Sequence, residues 1–143
     1  MSHQADLELL VQRFEALSPK TVGALSELYS EDAFFKDPFN EVHGHLAITG
    51  IFEDMFKQVI DPRFVVTHKI VQGEEAFIAW DFLFRSKGNR QAEHCIHGSS
   101  HLRFGSDRRV NYHRDYWDTA EELYEKVPVL GTLVRFLKRR VRS

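Results

Sequence analysis

One short segment near the end of the sequence concentrates side chains that can transfer protons. Residues 112–118 read Tyr-His-Arg-Asp-Tyr-Trp-Asp, and alternate side chains of an extended strand point to opposite faces. One face then carries His113, Asp115 and Trp117, and the other carries two tyrosines, an arginine and the final aspartate. An imidazole or a carboxylate costs several kcal/mol to bury without a partner. The segment therefore lines a polar cavity or belongs to a satisfied structural network.

A second candidate for proton transfer is Asp37, which stands directly before Pro38 among the phenylalanines of residues 34–39. Apolar surroundings disfavour a charged carboxylate and raise its pKa, which brings it toward the range useful for a general base. The Asp-Pro pair is also a common turn opener, whose carboxylate accepts hydrogen bonds from backbone amides. The sequence alone leaves both roles open for Asp37.

Three histidines within one predicted strand, His94, His97 and His101, raise the question of a metal site. The alternation of a strand puts His97 and His101 on one face and His94 on the other. Zinc requires three or four converging ligands. Two histidines on one face do not reach this number, and a pair on an outer face is more often solvated or part of a subunit contact. We therefore predict no metal site.

The composition excludes several classes of function. The chain has 143 residues, the size of one domain, and its net charge of −2 gives no electrostatic basis for binding nucleic acid. No apolar run reaches the roughly 18 residues of a membrane-spanning helix. The sequence contains no phosphate-binding loop, dinucleotide fingerprint or paired-cysteine metal motif. We therefore predict that the protein uses no cofactor.

The cysteine content and the N-terminus bear on the cellular location. Cys95 is the only cysteine, which excludes an internal disulfide and favours a reducing compartment. Asp6 and Glu8 stand where a signal peptide would carry basic and then apolar residues. These features predict a cytoplasmic protein.

The first half of the chain has the periodicity of helices. Apolar residues recur every three or four positions, which predicts three amphipathic helices, over residues 4–17, 19–29 and 48–59. The aromatic stretch at 33–37 is too short for a helix and predicts a small strand that ends before proline. A loop is expected at 40–45.

The second half changes to the alternation of strands. Four strands are predicted, at residues 64–71, 76–85, 93–104 and 109–117, and the short turns between them indicate an antiparallel meander. Helices followed by such a meander predict an α+β fold, in which a cone-shaped, curved antiparallel sheet wraps around the three N-terminal helices. We expect residues 1–143 to form this single domain.

The last part of the chain, residues 119–143, is predicted to be a helical extension of the domain. It contains a basic helix with an apolar stripe, over about residues 129–141. Such a helix could rest on an anionic membrane surface. The apolar stripe is short for that role, so packing over the cone or against a neighbouring subunit is the better interpretation.

The order of the elements and several local motifs resemble the nuclear transport factor 2-like superfamily over residues 5–120. The motifs that carry the resemblance are residues 28–33, 36–39, 44–56, 101–104 and 115–117. The superfamily includes ketosteroid isomerases, SnoaL-like polyketide cyclases, scytalone dehydratase and limonene epoxide hydrolase. It also includes binding modules and transport factors, so the resemblance specifies the fold more closely than the function.

The resemblance implies a catalytic group made of Asp37, His113 and Asp115. Asp37 matches the position of the base in ketosteroid isomerase-like sites. Trp117 matches a tryptophan that lines the family's cavity, which would place His113 and Asp115 on the concave face. These groups could move a proton between carbon centres or activate water. The alternative is a buried bridge that shapes the cavity without chemistry.

The same comparison predicts that the protein does not have ketosteroid isomerase activity itself. Those enzymes use a tyrosine and a protonated aspartic acid as oxyanion donors, and Phe14 and Ser100 stand at the matching positions. Phe14 donates no hydrogen bond, and serine is a weaker donor.

We expect an aromatic cavity for a flat or hydrophobic ligand, although the same side chains could simply be core. The predicted ligand-binding set is Phe14, Tyr29, Phe56, Trp80, Phe82, Ser100, Leu102 and Trp117.

The functional prediction is a SnoaL-like, cofactor-independent acid/base enzyme, an isomerase, cyclase, dehydratase or hydrolase, that acts on a small hydrophobic molecule. The alternative is a non-catalytic module of the same fold that binds a ligand or another protein. The resemblance implies a homodimer through the outer sheet face, which would carry His97, His101 and Arg103.

Overall fold

The computed structural model describes residues 3–118 and residue 121, and its first element is a helix. Helix α1 spans Gln4–Glu15 and buries one apolar face, made of Leu7, Leu10, Val11 and Phe14. The predicted helix over residues 4–17 is therefore confirmed, with an earlier end. The predicted helical extension over 119–143 lies outside the described residues, apart from residue 121.

The second predicted helix is wrong in its extent. Only a 3-10 helix forms, at Val22–Glu27, and the next strand, β1, already begins at Tyr29 and spans Tyr29–Lys36. The sheet ends the helix, because the Val110 N–H donates to the Leu28 carbonyl at 2.8 Å. Leu28 and Tyr29 are both buried, so their spacing suited a helix equally well.

The third predicted helix is confirmed. A short strand, β2, spans Glu41–His43 within the predicted loop, and helix α2 then spans His45–Gln58. Gly44 joins them with a φ of 98°, a region that side chains rarely adopt. A Cβ at this position would also lie 3.2 Å from the Glu31 carbonyl oxygen. Glycine thus allows the chain to turn from the sheet edge into α2.

The four remaining strands form the predicted meander. They are β3 (Ile60–Gln72), β4 (Glu75–Ser86), β5 (Asn89–Phe104) and β6 (Val110–Tyr116). The sheet order is β2-β1-β6-β5-β4-β3. All neighbours pair antiparallel except β1 and β6, which are parallel. A parallel pair needs a long connection, and α2 with the four intervening strands supplies it.

The sheet is curved and unclosed, which confirms the predicted α+β cone. Register shifts after Ile60 and Val66 interrupt the pairing of β3 with β4, and such bulges bend a strand. The interior is rich in aromatic rings, with Phe14, Phe52 and Phe64 edge to face and their centroids 5.3–6.3 Å apart. Among the described residues, no helix is long and apolar enough to cross a membrane.

Candidate active site

The inner face of β6 carries the residues predicted to transfer protons. His113 is 4% exposed and the Asp115 side chain is 16% exposed, and both line interior cavities. Trp117 follows the strand on the same side and lines a cavity with Asp115. Because β6 pairs with β1 on one edge and β5 on the other, its backbone is held from both sides. The structure therefore has the inner face that the family resemblance at Trp117 implied.

Asp115 is the centre of a hydrogen-bond network. Its Oδ1 accepts a hydrogen bond from the Ser100 hydroxyl at 2.5 Å and lies 2.6 Å from His113 Nε2. Ser100 faces Asp115 directly in the β5–β6 register, and it accepts a hydrogen bond from Trp80 Nε1 at 2.8 Å. The other oxygen, Oδ2, accepts none from the residues that the structure describes. Asp115 is therefore held through one oxygen and keeps the second for a ligand.

Tyr29 fixes the orientation of His113. The tyrosine is completely buried, and its hydroxyl lies 2.7 Å from His113 Nδ1. Burial, with the negative charge of Asp115, raises the pKa of Tyr29 well above its ordinary value, so the phenol keeps its proton. It then donates to Nδ1, and the hydrogen bonds assign the imidazole proton to Nε2, which donates to Asp115. Both ring nitrogens of His113 are thereby engaged.

Asp37 lies at the end of β1 and combines the two roles left open by the sequence. Its Oδ1 accepts hydrogen bonds from the backbone N–H of Phe39, at 2.8 Å, and from that of Asn40, at 2.6 Å. These two bonds form the turn predicted for the Asp-Pro pair. Burial nevertheless raises the pKa of Asp37 to about 6, and the negative charge of Asp115 adds to the effect. The hydrogen bonds from Phe39 and Asn40 act in the opposite direction. The turn thus holds a carboxyl that titrates close to neutral pH.

We expect Asp37→Asn to stabilise the protein at neutral pH but not in acid. The unfolded chain releases this proton near the ordinary pKa of 3.8, whereas the folded chain keeps it until about pH 6. The stability contributed by the protonated carboxyl is therefore complete below pH 3.8 and is lost as the pH rises through about 6. A shift of this size corresponds to about 2–3 kcal/mol, a loss that asparagine avoids.

Urea unfolding of the wild type and Asp37→Asn between about pH 4 and about pH 8 measures this effect. The difference in unfolding free energy should be near zero at the acid end and reach about 2–3 kcal/mol at the alkaline end. Asp32→Asn, on the exposed side of β1, controls for the loss of one negative charge. A difference in unfolding free energy that stays constant with pH would contradict the raised pKa of Asp37.

The two carboxylates face one apolar cavity, which we call the main cavity. Its volume is about 110 Å³, and its lining comes from α2, β3, β4, β5 and the ends of β1 and β6. The lining residues are Phe35, Asp37, Ile51, Phe52, Met55, Gln58, Val59, Phe64, Trp80, Phe82, Ile96, Asp115 and Trp117. An open groove of about 750 Å³ borders the same Asp37, Asp115 and Trp117 from outside.

A second, small cavity lies deeper, beside Ser100, His113 and Asp115. Its volume is about 20 Å³, which is room for roughly one water molecule. The rest of its lining is mainly apolar and includes Phe14 and Trp80. A water here would find polar partners only at the network around Asp115.

The predicted ligand-binding residues divide into two groups. Trp80, Phe82 and Trp117 line the main cavity, and Phe14 and Ser100 line the small cavity. The remaining three line neither of these cavities. Tyr29 is completely buried against His113, Leu102 is completely buried opposite His113 in the register, and Phe56 packs from α2 against the core.

Several lining residues were not predicted to contact a ligand. Ile51, Phe52 and Met55 were recognised only as the apolar face of a helix, and Phe64 only as the start of a strand. The helical spacing shows that such a face is buried, but not whether it meets a cavity or another side chain. The position of α2 across the open end of the sheet decides this.

The outward histidines lie where the strand alternation puts them. The His97 side chain is 67% exposed and pairs with Asp81, and His101 pairs with Glu75 at 2.8 Å and stacks on Phe77. His101 and His97 thus have separate acidic partners on the outer face. Neither histidine lines the main cavity, although His97 borders the open groove that Asp37, Asp115 and Trp117 also line.

Several solved structures have a fold similar to that of this chain. A hypothetical protein with a ketosteroid isomerase-like fold from Catenulispora acidiphila, in complex with trimethylamine, is 15% identical, with a TM-score of 0.71 over 85% of this chain and 91% of that one. A nuclear transport factor 2-like protein of unknown function from Burkholderia pseudomallei is 16% identical, with a TM-score of 0.72 over 87% and 97%. An epoxide hydrolase from M. tuberculosis, similar to limonene epoxide hydrolase, is 12% identical, with a TM-score of 0.69 over 93% and 95%.

These identities are low enough that the likeness establishes the fold alone. No curated protein matches the chain. The model of the SnoaL-like domain matches residues 10–113, a span that runs from α1 to His113 on β6 and includes both Asp37 and Ser100. The residue types, the cone-shaped sheet and this match lead to one conclusion: the chain belongs to the SnoaL-like domain family.

Proposed function

We propose that the protein is a cofactor-independent acid/base enzyme that transfers protons on a small hydrophobic substrate. The observation that carries the proposal is that Asp37, with a pKa of about 6, and Asp115 line the same apolar cavity. A general base works best when its pKa lies near the working pH. A carboxyl with its ordinary pKa of 3.8 would be a much weaker base.

Asp37 is the base in this proposal, and Asp115 is its partner. The charge of Asp115 strengthens Asp37 as a base, because it raises the free energy of the ionised form. Asp115 Oδ2 is available to a substrate hydroxyl or to a water in the small cavity. His113 is assigned a positioning role instead of the predicted catalytic one, since its two nitrogens are committed to Tyr29 and Asp115.

The cavity lining defines the class of substrate. Aromatic and aliphatic side chains supply nearly all of it, so a flat, apolar molecule that carries a carbonyl or hydroxyl group is favoured. A volume of about 110 Å³ suits a small ring or the reactive end of a longer molecule that extends into the groove. With such a substrate, isomerisation, cyclisation and dehydration can begin when the base removes a proton from carbon, and hydrolysis can begin when it removes a proton from water.

The test is catalysed exchange of carbon-bound protons. The full-length protein is incubated in D₂O with a panel of small cyclic ketones and enones, and proton NMR follows the loss of each C–H signal. We expect faster exchange with at least one ligand, with a pH midpoint near 6, and a loss of about 10²–10⁴-fold in Asp37→Asn. Asp32→Asn is the control variant.

The same panel can overturn the proposal. A ligand that binds in the main cavity, as judged by quenching of tryptophan fluorescence, but exchanges no faster than in buffer would indicate the non-catalytic alternative. That alternative would also follow if Asp37→Asn exchanged as fast as the wild type.

We propose further that the protein is a homodimer through its outer sheet face. Ile70, Phe77 and Tyr116 lie on that face and are 63%, 49% and 46% exposed, an unusual content of large apolar groups for a solvated surface. Light scattering of the full chain measures its mass in solution. A monomer at all concentrations would contradict the dimer.

A further inference from the structure

Three potential metal ligands converge on the outer face of the sheet, away from the main cavity. Asp81 on β4 and His97 on β5 are direct partners in the strand register. Cys95 lies two residues before His97, so its side chain is on the same face. The cluster therefore follows from the pairing of two central strands, and both strands are held by neighbours on their other edges.

The distances within the cluster are close to those of a coordination sphere. His97 Nδ1 lies 2.5 Å from Asp81 Oδ1, and Cys95 Sγ lies 3.9 Å from His97 Nδ1 and 4.0 Å from Nε2. One ligand atom from each of the three residues lies within 4.8 Å of the other two. We propose that Asp81, Cys95 and His97 bind one zinc-like divalent transition metal ion.

Small side-chain movements convert the cluster into a tetrahedral site. Zinc bonds of about 2.0–2.3 Å to oxygen, nitrogen and sulfur imply ligand separations of roughly 3.3–3.6 Å. The carboxylate and the imidazole would separate by about 1 Å from their hydrogen-bonded positions, and the Cys95 sulfur would approach His97 Nδ1 by less than that. Three protein ligands leave the fourth position to solvent.

The chemistry of the donors selects the ion. A thiolate and an imidazole favour zinc and its neighbours over calcium or magnesium, which prefer oxygen alone. Binding displaces the proton of the Cys95 thiol into solvent and uses the neutral form of His97. The His97 side chain is 67% exposed, so an ion can enter without opening the fold.

The proposal differs from the prediction made from the sequence, which was that the protein has no metal site. That expectation paired His97 with His101, whereas His101 is engaged with Glu75 and Phe77. The ligands that complete the site are a cysteine and an aspartate, and only the register of β4 against β5 brings the aspartate to them. None of the three ligands lines the main cavity, although His97 borders the open groove beside Asp37 and Asp115. The metal proposal therefore does not rest on the proposed function.

Cobalt is the most specific probe, because Cys95 is the only cysteine. A thiolate-to-cobalt charge-transfer band in the near ultraviolet can then arise only from this side chain. We titrate Co²⁺ into the tag-free, full-length protein after treatment with a chelator. The expected result is such a band with one cobalt bound per chain, removed by an equivalent of Zn²⁺.

Variants identify the other two ligands. Cys95→Ser should abolish the band, and His97→Gln and Asp81→Asn should each weaken binding by at least about 10-fold. His101→Gln is the matched control and should bind as the wild type does. Absence of the band at cobalt excess would overturn the proposal. So would equal affinity of the wild type, His97→Gln and Asp81→Asn, since the thiol would then be binding the ion without the other two ligands.

Discussion

In Asp115→Asn, the pKa of Asp37 should fall from about 6 toward its ordinary value of 3.8, and proton transfer should slow by about 10²–10⁴-fold. The negative charge of Asp115 contributes to the raised pKa of Asp37, and asparagine removes that charge. The base becomes weaker, and the second carboxylate of the cavity is lost. Burial remains as the larger cause, so the pKa should stop short of 3.8.

The asparagine side chain should leave the fold intact. Its carbonyl oxygen can still accept the hydrogen bonds from the Ser100 hydroxyl and His113 Nε2 that Asp115 Oδ1 accepts now. A loss of activity in Asp115→Asn would therefore come from the lost charge and the lost proton transfer, and not from the loss of those two hydrogen bonds.

Two measurements check this expectation. Carbon-13 NMR of labelled aspartates gives the pKa of Asp37, and the D₂O exchange assay gives the rate and its pH midpoint. Asp107→Asn, an exposed turn position, is a control for net charge. If the rate falls and the pKa of Asp37 does not change, the charge of Asp115 does not raise the pKa of Asp37, and the expected coupling between the two carboxylates is absent. If the rate is unchanged, Asp115 has no part in the mechanism.

Gly98→Ala should destabilise the protein by about 2–3 kcal/mol, because it overpacks the interior. Gly98 lies opposite Trp80 in the β4–β5 register, and the indole ring covers the space where a side chain would be. A Cβ on Gly98 would lie 2.6 Å from Trp80 Cζ2 and 2.8 Å from Cζ3. The ring is 7% exposed and donates to Ser100, so it cannot move without disturbing the network at Asp115.

Urea unfolding with fluorescence detection measures the effect on stability and on the environment of Trp80. Gly23→Ala is the matched control, because a Cβ there meets nothing within 4 Å. That variant should be neutral or slightly stabilising. Should Gly98→Ala lie within about 0.5 kcal/mol of the wild type, the indole ring would not have the fixed position described above.

Local sequence patterns predicted the parts of the fold that depend on neighbouring residues. The alternation along residues 112–118 grouped His113, Asp115 and Trp117 on one face, and the family resemblance at Trp117 identified that face as the inner one. The apolar spacing of α1 and α2 identified their buried sides. The same reasoning failed at Tyr29, where helical spacing continued although the chain had entered the sheet. Nothing local distinguishes the two states there, because the deciding hydrogen bond comes from Val110.

Contacts that depend on strand register could not be derived in this way. The bonds from Trp80 to Ser100 and from Ser100 to Asp115 require the alignments of β4, β5 and β6, which hydrophobic patterns constrain only to one face. The partnership of Asp81 with His97 has the same origin. The sequence therefore indicated which side chains face inward, and the pairing of strands determined which of them meet.

The parallel pairing of β1 with β6 has a consequence for the order of folding. Tyr29 and His113 are 84 residues apart, so their contact closes one of the longest loops in the described chain. Topologies of high contact order fold slowly, because the entropy of loop closure precedes any gain from the contact. During synthesis, β1 would have β2 on one edge but would lack its neighbour on the other edge until β6 left the ribosome. The network of Tyr29, His113 and Asp115 would then be among the last parts to assemble, and a nascent chain would expose the apolar side of β1 to chaperones until that moment.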